Sequence, residues 1–131
     1  MKLTGLTPNL ITHDITRSTT FYRDVLGFKV VRTVPEEQGP YVFVWLERDG
    51  VPVFLNDAKT VAHEIDAPAV VVGKSGVSMF ITMEGIDAYW SEVRDKARVA
   101  MPLKDQWYGM REFGVTDPDG YLITFAERIA Q

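Results

Sequence analysis

The chain contains no cysteine. Disulfides, thiolate metal sites and cysteine nucleophiles are therefore excluded. Histidine is almost as scarce, with only His13 and His63. His13 follows the first predicted strand and reads as a surface turn residue. His63 stands directly beside Glu64, without the i, i+4 spacing that puts two ligands on one helix face. No Ser-His-Asp arrangement, phosphate loop or nucleotide fingerprint is present. No apolar run approaches the roughly 20 residues needed to span a bilayer. The N-terminus lacks a basic segment followed by an apolar stretch, so no secretory signal is visible and a cytoplasmic location is the default expectation. There is no Lys/Arg cluster, and the net charge is −4. A nucleic-acid partner is not expected from such a surface. The acidic balance permits a cationic ligand but is too mild to specify one.

What the chain does have is a repeat. Its 131 residues, 46% of them hydrophobic, suit one domain spanning 1–131 with a substantial core. Within it, Leu10-Ile11-Thr12 recurs as Phe80-Ile81-Thr82, an offset of 70 residues. Gly39 recurs as Gly109, Phe43 as Phe113, and Asp49-Gly50 as Asp119-Gly120. Val53 and Leu55 are answered by Ile123 and Phe125. A constant offset over this much chain predicts two copies of one supersecondary unit, neither able to bury its apolar face alone.

Each copy reads as β-α-β-β-β. Leu6 to Thr12 predicts a strand, and Asp14 or Thr16 caps the helix after it. Ile15, Phe21, Tyr22, Val25 and Leu26 form its apolar stripe, and Gly27 ends it. Phe28 to Val34, Tyr41 to Glu47 and Val51 to Asn56 are the remaining strands of the first copy. The last two join at Asp49-Gly50, a hairpin signal because both residues tolerate positive φ. In the second copy, Val77 to Thr82 is a strand and Ile86 to Ala97 a helix. Arg98 to Met101 is a short strand. Gly109 to Thr116 and Tyr121 to Ala126 form a hairpin turning at Asp117-Pro118-Asp119-Gly120, where the two aspartates act as turn formers. The copies span 5–56 and 76–127. The crossover, 57–75, is long; with Pro68 and the apolar run Ala69 to Val72, it reads either as an ordered segment closing over a site or as a plain linker.

Strand alternation places Tyr41, Phe43 and Trp45 on one face and Val42, Val44 and Leu46 on the other. Val53 and Leu55 join the aliphatic, helix-covered side. Pro52, Phe54 and Asn56 join the aromatic side, which either lines a cavity or is itself core. In the last hairpin Arg111, Phe113 and Val115 share one face and Met110 and Glu112 the other. Which charge points inward is left open by the sequence.

Two segments carry a family pattern. One is Thr7-Pro8-Asn9-Leu10, then Asp14, Arg17 and Phe21 to Phe28; the other is Gly109 to Phe113 followed by Asp117-Pro118-Asp119-Gly120-Tyr121. With the duplicated unit, they resemble the vicinal oxygen chelate superfamily, and within it the glyoxalase/bleomycin resistance protein/dioxygenase group. The resemblance implies an α+β fold, two β-α-β-β-β modules forming a concave mixed sheet, and a homodimer with its site where halves or subunits meet. It also implies, for metal-dependent members, four ligands from the first and fourth strand of each unit. Here those positions are about Thr7, Pro52 or Phe54, Val77 and Thr124. None offers an imidazole or carboxylate, and a shift of one residue, to Val53, Ser78 or Ile123, restores no site.

The expectation is therefore a metal-free, cofactor-free protein that sequesters a small aromatic or cationic molecule, resembling bleomycin resistance proteins. The candidate ligand residues are Phe43, Trp45, Phe54 and Asn56 from the first copy. From the second they are Trp107, Tyr108, Arg111 and Phe113. Two alternatives stand beside it: a metal-dependent lyase or dioxygenase, and a non-binding interaction module whose aromatics are filled core.

Overall fold

The computed structural model describes residues 1–64 and 76–129. They fall into two compact units, one on either side of the 65–75 segment. The expected closing role of Pro68 and Ala69 to Val72 lies outside the described residues.

The first unit runs β1 (Asn9–Thr12), α1 (Ile15–Thr20), β2 (Lys29–Val34), β3 (Phe43–Arg48), β4 (Val51–Asp57) and α2 (Ala58–Glu64). Its strands lie in the order β1-β4-β3-β2, with β1 parallel to β4 and the rest antiparallel. Of the two cap candidates the chain uses Asp14, whose Oδ1 accepts from the Arg17 backbone N–H at 3.0 Å. Asp14→Ala is expected to cost about 1 kcal/mol, since one orphan N–H loses its acceptor; urea denaturation reads this directly. After α1 the chain makes one π-helical turn, Phe21–Val25, in which the Leu26 N–H reaches Phe21 O at 3.1 Å. The wider turn sets Phe21 and Tyr22 side by side in the core, their rings edge to face at 5.4 Å. Gly27, at φ 81°, ends it as expected. Here glycine is favoured by its positive φ, and a Cβ would also push aside the Arg48 guanidinium at the tip of its flexible side chain. That guanidinium in turn donates to Leu26 O at 2.6 Å, satisfying a terminal carbonyl. The Asp49-Gly50 hairpin has both residues at positive φ.

The second unit runs β5 (Met79–Thr82), α3 (Ile86–Val93), β6 (Arg98–Asp105), β7 (Met110–Thr116) and β8 (Leu122–Arg128). Its strand order, β5-β8-β7-β6, repeats that of the first unit. The expected β-α-β-β-β duplication is therefore observed. Three boundaries differ from the sequence reading by three residues or more. β1 is shorter, because only Asn9–Thr12 find ladder partners on β4. α3 ends at Val93 and continues as turns through Ala97. β6 runs on to Asp105, with irregular pairing around Met101 that lets Pro102 sit in an edge strand. The first turn of α3 has no cap from its own segment; the Glu127 carboxylate of β8 accepts from the N–H groups of Gly85 (3.2 Å) and Ile86 (2.9 Å).

In each unit one sheet face is covered by helix. In the first, α1 packs on β3 and β4, burying Val44, Leu46, Val53 and Leu55. In the second, α3 packs on β7 and β8, burying Phe113, Val115, Ile123 and Phe125. Among the described residues no helix is long and apolar enough to cross a membrane.

Candidate ligand-binding faces

The repeat is not in uniform register. Val44 pairs with Leu55, and Leu46 with Val53. In the second unit Phe113 pairs with Phe125, and Val115 with Ile123. Because Val53 corresponds to Ile123 at an offset of 70, Leu46 corresponds to Val115 at 69. The hairpin loops explain the slip. Two residues separate the pair Arg48 and Val51, whereas Asp117 to Tyr121 separates Thr116 and Leu122. Asp117 organises the longer turn, its Oδ1 accepting from the N–H groups of Asp119 (2.9 Å) and Tyr121 (3.0 Å). A one-residue slip exchanges the two faces of a strand. Phe113 is thus the counterpart not of Phe43 but of Val44.

On the far face of the first sheet, opposite α1, Phe43, Trp45, Phe54 and Asn56 stand together and half-buried. The Phe54 ring meets Phe43 edge-on at a centroid distance of 5.1 Å and Trp45 at 5.7 Å. Asn56 Nδ2 donates to Asn9 Oδ1. Trp45 Nε1 is buried and, among the described residues, has no hydrogen-bond acceptor. An indole N–H in that state favours any ligand that brings an acceptor.

The same far-face positions of the second sheet hold Glu112, Gly114, Thr124 and Ala126. An acid and small residues thus replace the rings. Glu112 is 3% exposed, and both its oxygens lie 2.7 Å from the Tyr108 hydroxyl, which donates to them. That bond, together with burial and the negative charge beside it, raises the phenol's pKa above its ordinary value. A cleft of about 520 Å³ lies along β5 and β8, with Thr82, Glu84, Met110, Ala126, Glu127 and Arg128 in its lining; Glu112 is not among its lining residues.

Arg111 and Phe113 do not join this face, contrary to the sequence reading. Phe113 is fully buried against Tyr89 and Trp90 of α3. Arg111 also turns to the helix side, where it grips Asp105 with two nitrogens (2.6 and 3.1 Å) and touches Asp87 of α3 at 3.1 Å. The guanidinium holds the Asp105 carboxyl below its usual range, and the two acids hold the guanidinium above its own. Trp107, in the turn before β7, is 93% exposed and rests edge-on against Tyr108. The residue the sequence reading left unassigned is Glu112. The signal that places it is the length of the Asp117 to Tyr121 turn.

A family model for the glyoxalase/bleomycin resistance protein/dioxygenase superfamily matches residues 6–125. The chain belongs to this superfamily. A bleomycin resistance protein of Geobacillus stearothermophilus is 33% identical over 132 residues, covering 93% of this chain and 95% of the relative. A bleomycin resistance protein of Staphylococcus aureus matches equally. Among solved structures, the bleomycin-binding protein of bleomycin-producing Streptomyces verticillus, solved with copper(II)-bleomycin, shares the fold at a TM-score of 0.66. It is 20% identical, with 100% of this chain and 99% of that chain covered.

The resemblance implies, for metal-dependent members, donors at positions that are here about Thr7, Pro52 or Phe54, Val77 and Thr124. Thr7 and Val77 lie outside the strands, and Val77 is 75% exposed. Phe54 and Thr124 face away from the helices, but one brings a ring and the other a neutral hydroxyl. Among the described residues no three His, Cys, Asp or Glu side chains gather closely enough to hold a metal ion. These residues do not fit a divalent metal.

Proposed function

We propose that this superfamily member binds and sequesters an aromatic, cationic small molecule, without a metal and without making or breaking a bond. The observation that carries the reading is the Phe43, Phe54 and Trp45 cluster, in which Phe54 meets each of the other two rings edge-on, on the sheet face opposite α1. Planar ligands stack on such faces, and each good aromatic pair contributes about 0.5–1.5 kcal/mol beyond the area it buries. Several such contacts support an affinity near micromolar after the costs of association. Rings of this kind also attract cations. The likeness to bleomycin resistance proteins makes metal-free bleomycin the first ligand to try, and a symmetric homodimer belongs to the same reading.

Titration with metal-free bleomycin, followed by tryptophan fluorescence, is expected to saturate at about micromolar concentration or below. Treatment with EDTA is expected to leave that affinity unchanged within twofold. Stoichiometric zinc, nickel, manganese or iron in protein purified without chelator, with binding or turnover lost on its removal, overturns the proposal in favour of a metalloenzyme.

A further inference from the structure

We infer that the far face of the first sheet recognises a carbonyl or carboxylate oxygen carried on the ligand's aromatic ring, received by the Trp45 indole N–H and the Arg32 guanidinium. The inference rests on the binding function just proposed and adds the polar group that fixes the ring's orientation.

Three observations lead there, all within the first unit. First, Trp45 Nε1 is screened from water and, among the described residues, has no acceptor. A buried donor left unpaired is a standing cost, and buried indole N–H groups ordinarily find a partner. The ring itself stands on the far face, edge-on to Phe54 at a centroid distance of 5.7 Å. A ligand that lies on these rings and brings an oxygen to the indole relieves the cost.

Second, a cation stands beside that donor. Arg32 of β2 is directly opposite Trp45 in the β2–β3 ladder. Residues so opposed have Cβ atoms about 4.5–5.5 Å apart, so the guanidinium and the indole can both reach one group of a ligand. Arg32 is there because β2 carries an extra residue, Val31, between Val30 opposite Leu46 and Arg32 opposite Trp45. In unbroken register Val31 would face Trp45, and Arg32 would face Val44 on the α1 side. A bulge is a device that re-aims a side chain in this way.

Third, this guanidinium is uncommitted. Arg23, Arg48, Arg94 and Arg111 each lie beside an aspartate, whereas among the described residues Arg32 forms no ion pair. Glu47, the acid on the same face, stands opposite Lys29 instead. Arg32 is exposed on the outer strand of its sheet, so its long side chain can close over a ligand without breaking a ladder. Guanidinium and indole N–H are both donors only, so the two groups call for the same chemistry, an oxygen acceptor.

The test uses three probes built on one ring: N-methylacridinium, and the same cation bearing a carboxamide or a carboxylate on an outer ring. All carry the same permanent positive charge on the ring, so its stacking and its repulsion from Arg32 cancel when affinities are compared as ratios. Followed by probe fluorescence, the wild type is expected to prefer the carboxamide to the unsubstituted ring by about tenfold, and the carboxylate by severalfold more. Trp45→Phe keeps a ring without the N–H and is expected to bring the carboxamide ratio to within twofold of unity. Arg32→Met keeps the stem without the charge and is expected to remove the further gain of the carboxylate. In the wild type, which needs no variant to fold, the Trp45 indole N–H proton resonance is expected to move downfield with the carboxamide and not with the unsubstituted ring. Equal wild-type affinity for those two probes, a ratio that survives Trp45→Phe, or an unmoved indole resonance overturns this inference and leaves the aromatic-binding reading standing. A carboxylate gain that is absent, or that survives Arg32→Met, overturns the role of Arg32. Failure of all three probes, and of bleomycin, to bind the wild type overturns the parent reading and this one together.

Discussion

Phe113→Ala is expected to destabilise the protein by about 3–5 kcal/mol, the range for truncating a fully buried phenylalanine. Its ring lies 5.1 Å from Trp90, 5.2 Å from Phe125 and 6.0 Å from Tyr89, and none of it reaches solvent. Deleting it opens a cavity between α3 and the β7–β8 ladder that rigid aromatic neighbours cannot close. A loss of that size is a large fraction of the stability of an ordinary domain. Urea denaturation should show the midpoint shifting far to lower concentration. The fraction that stays folded should bind N-methylacridinium as the wild type does. A variant with normal stability and no binding would instead return Phe113 to the ligand site.

The reason Phe113 looked like a ligand residue is instructive. Sequence matching aligns Phe113 with Phe43 because both are phenylalanine at the dominant offset. The dominant offset is real for Asp49-Gly50 against Asp119-Gly120 and for Val53 and Leu55 against Ile123 and Phe125. It fails on the strand before the turn, because the two turns differ in length by an odd number of residues. Identity of residue type carries no information about face, whereas ladder phase does. The first unit escaped the error: Asp49-Gly50 specifies a two-residue turn, so alternation along Tyr41 to Asn56 could be read outward from it without ambiguity. The four first-unit candidates consequently share the face assigned to them.

The fold itself was legible through local rules. Asp14 caps, Gly27 terminates, and the two hairpins turn at their Asp-Gly signals. What escaped these rules depends on distant partners. The end of β1 is set by which residues find β4, and the first turn of α3 is capped by Glu127, which lies some forty residues downstream in the chain. The orientation of Arg111 is decided by Asp87 on the helix and Asp105 on the edge strand, neither of which a window around Arg111 contains in full. The side chains at Thr7, Phe54, Val77 and Thr124, by contrast, were readable one by one, because identity needs no distant partner.

Phe54→Ala is expected to weaken binding of metal-free bleomycin and of N-methylacridinium by about tenfold to a hundredfold, the loss typical of a central aromatic contact. Phe54 is the ring common to both edge contacts of the far face, so its removal deprives Phe43 and Trp45 of the neighbour that holds them upright. The affinity loss therefore combines a lost stacking partner with loosened geometry in the two that remain. Because the side chain is only half-buried, the stability cost should be smaller than for Phe113→Ala. The two substitutions thus invert each other: one removes stability and spares binding, the other removes binding and largely spares stability. Phe54→Leu separates the remaining possibilities. It restores apolar volume but no π face, so it should recover stability and little affinity if stacking is the source of binding. Full recovery by leucine would mean that the face recognises apolar area alone, and wild-type affinity in Phe54→Ala would remove this face from the site altogether.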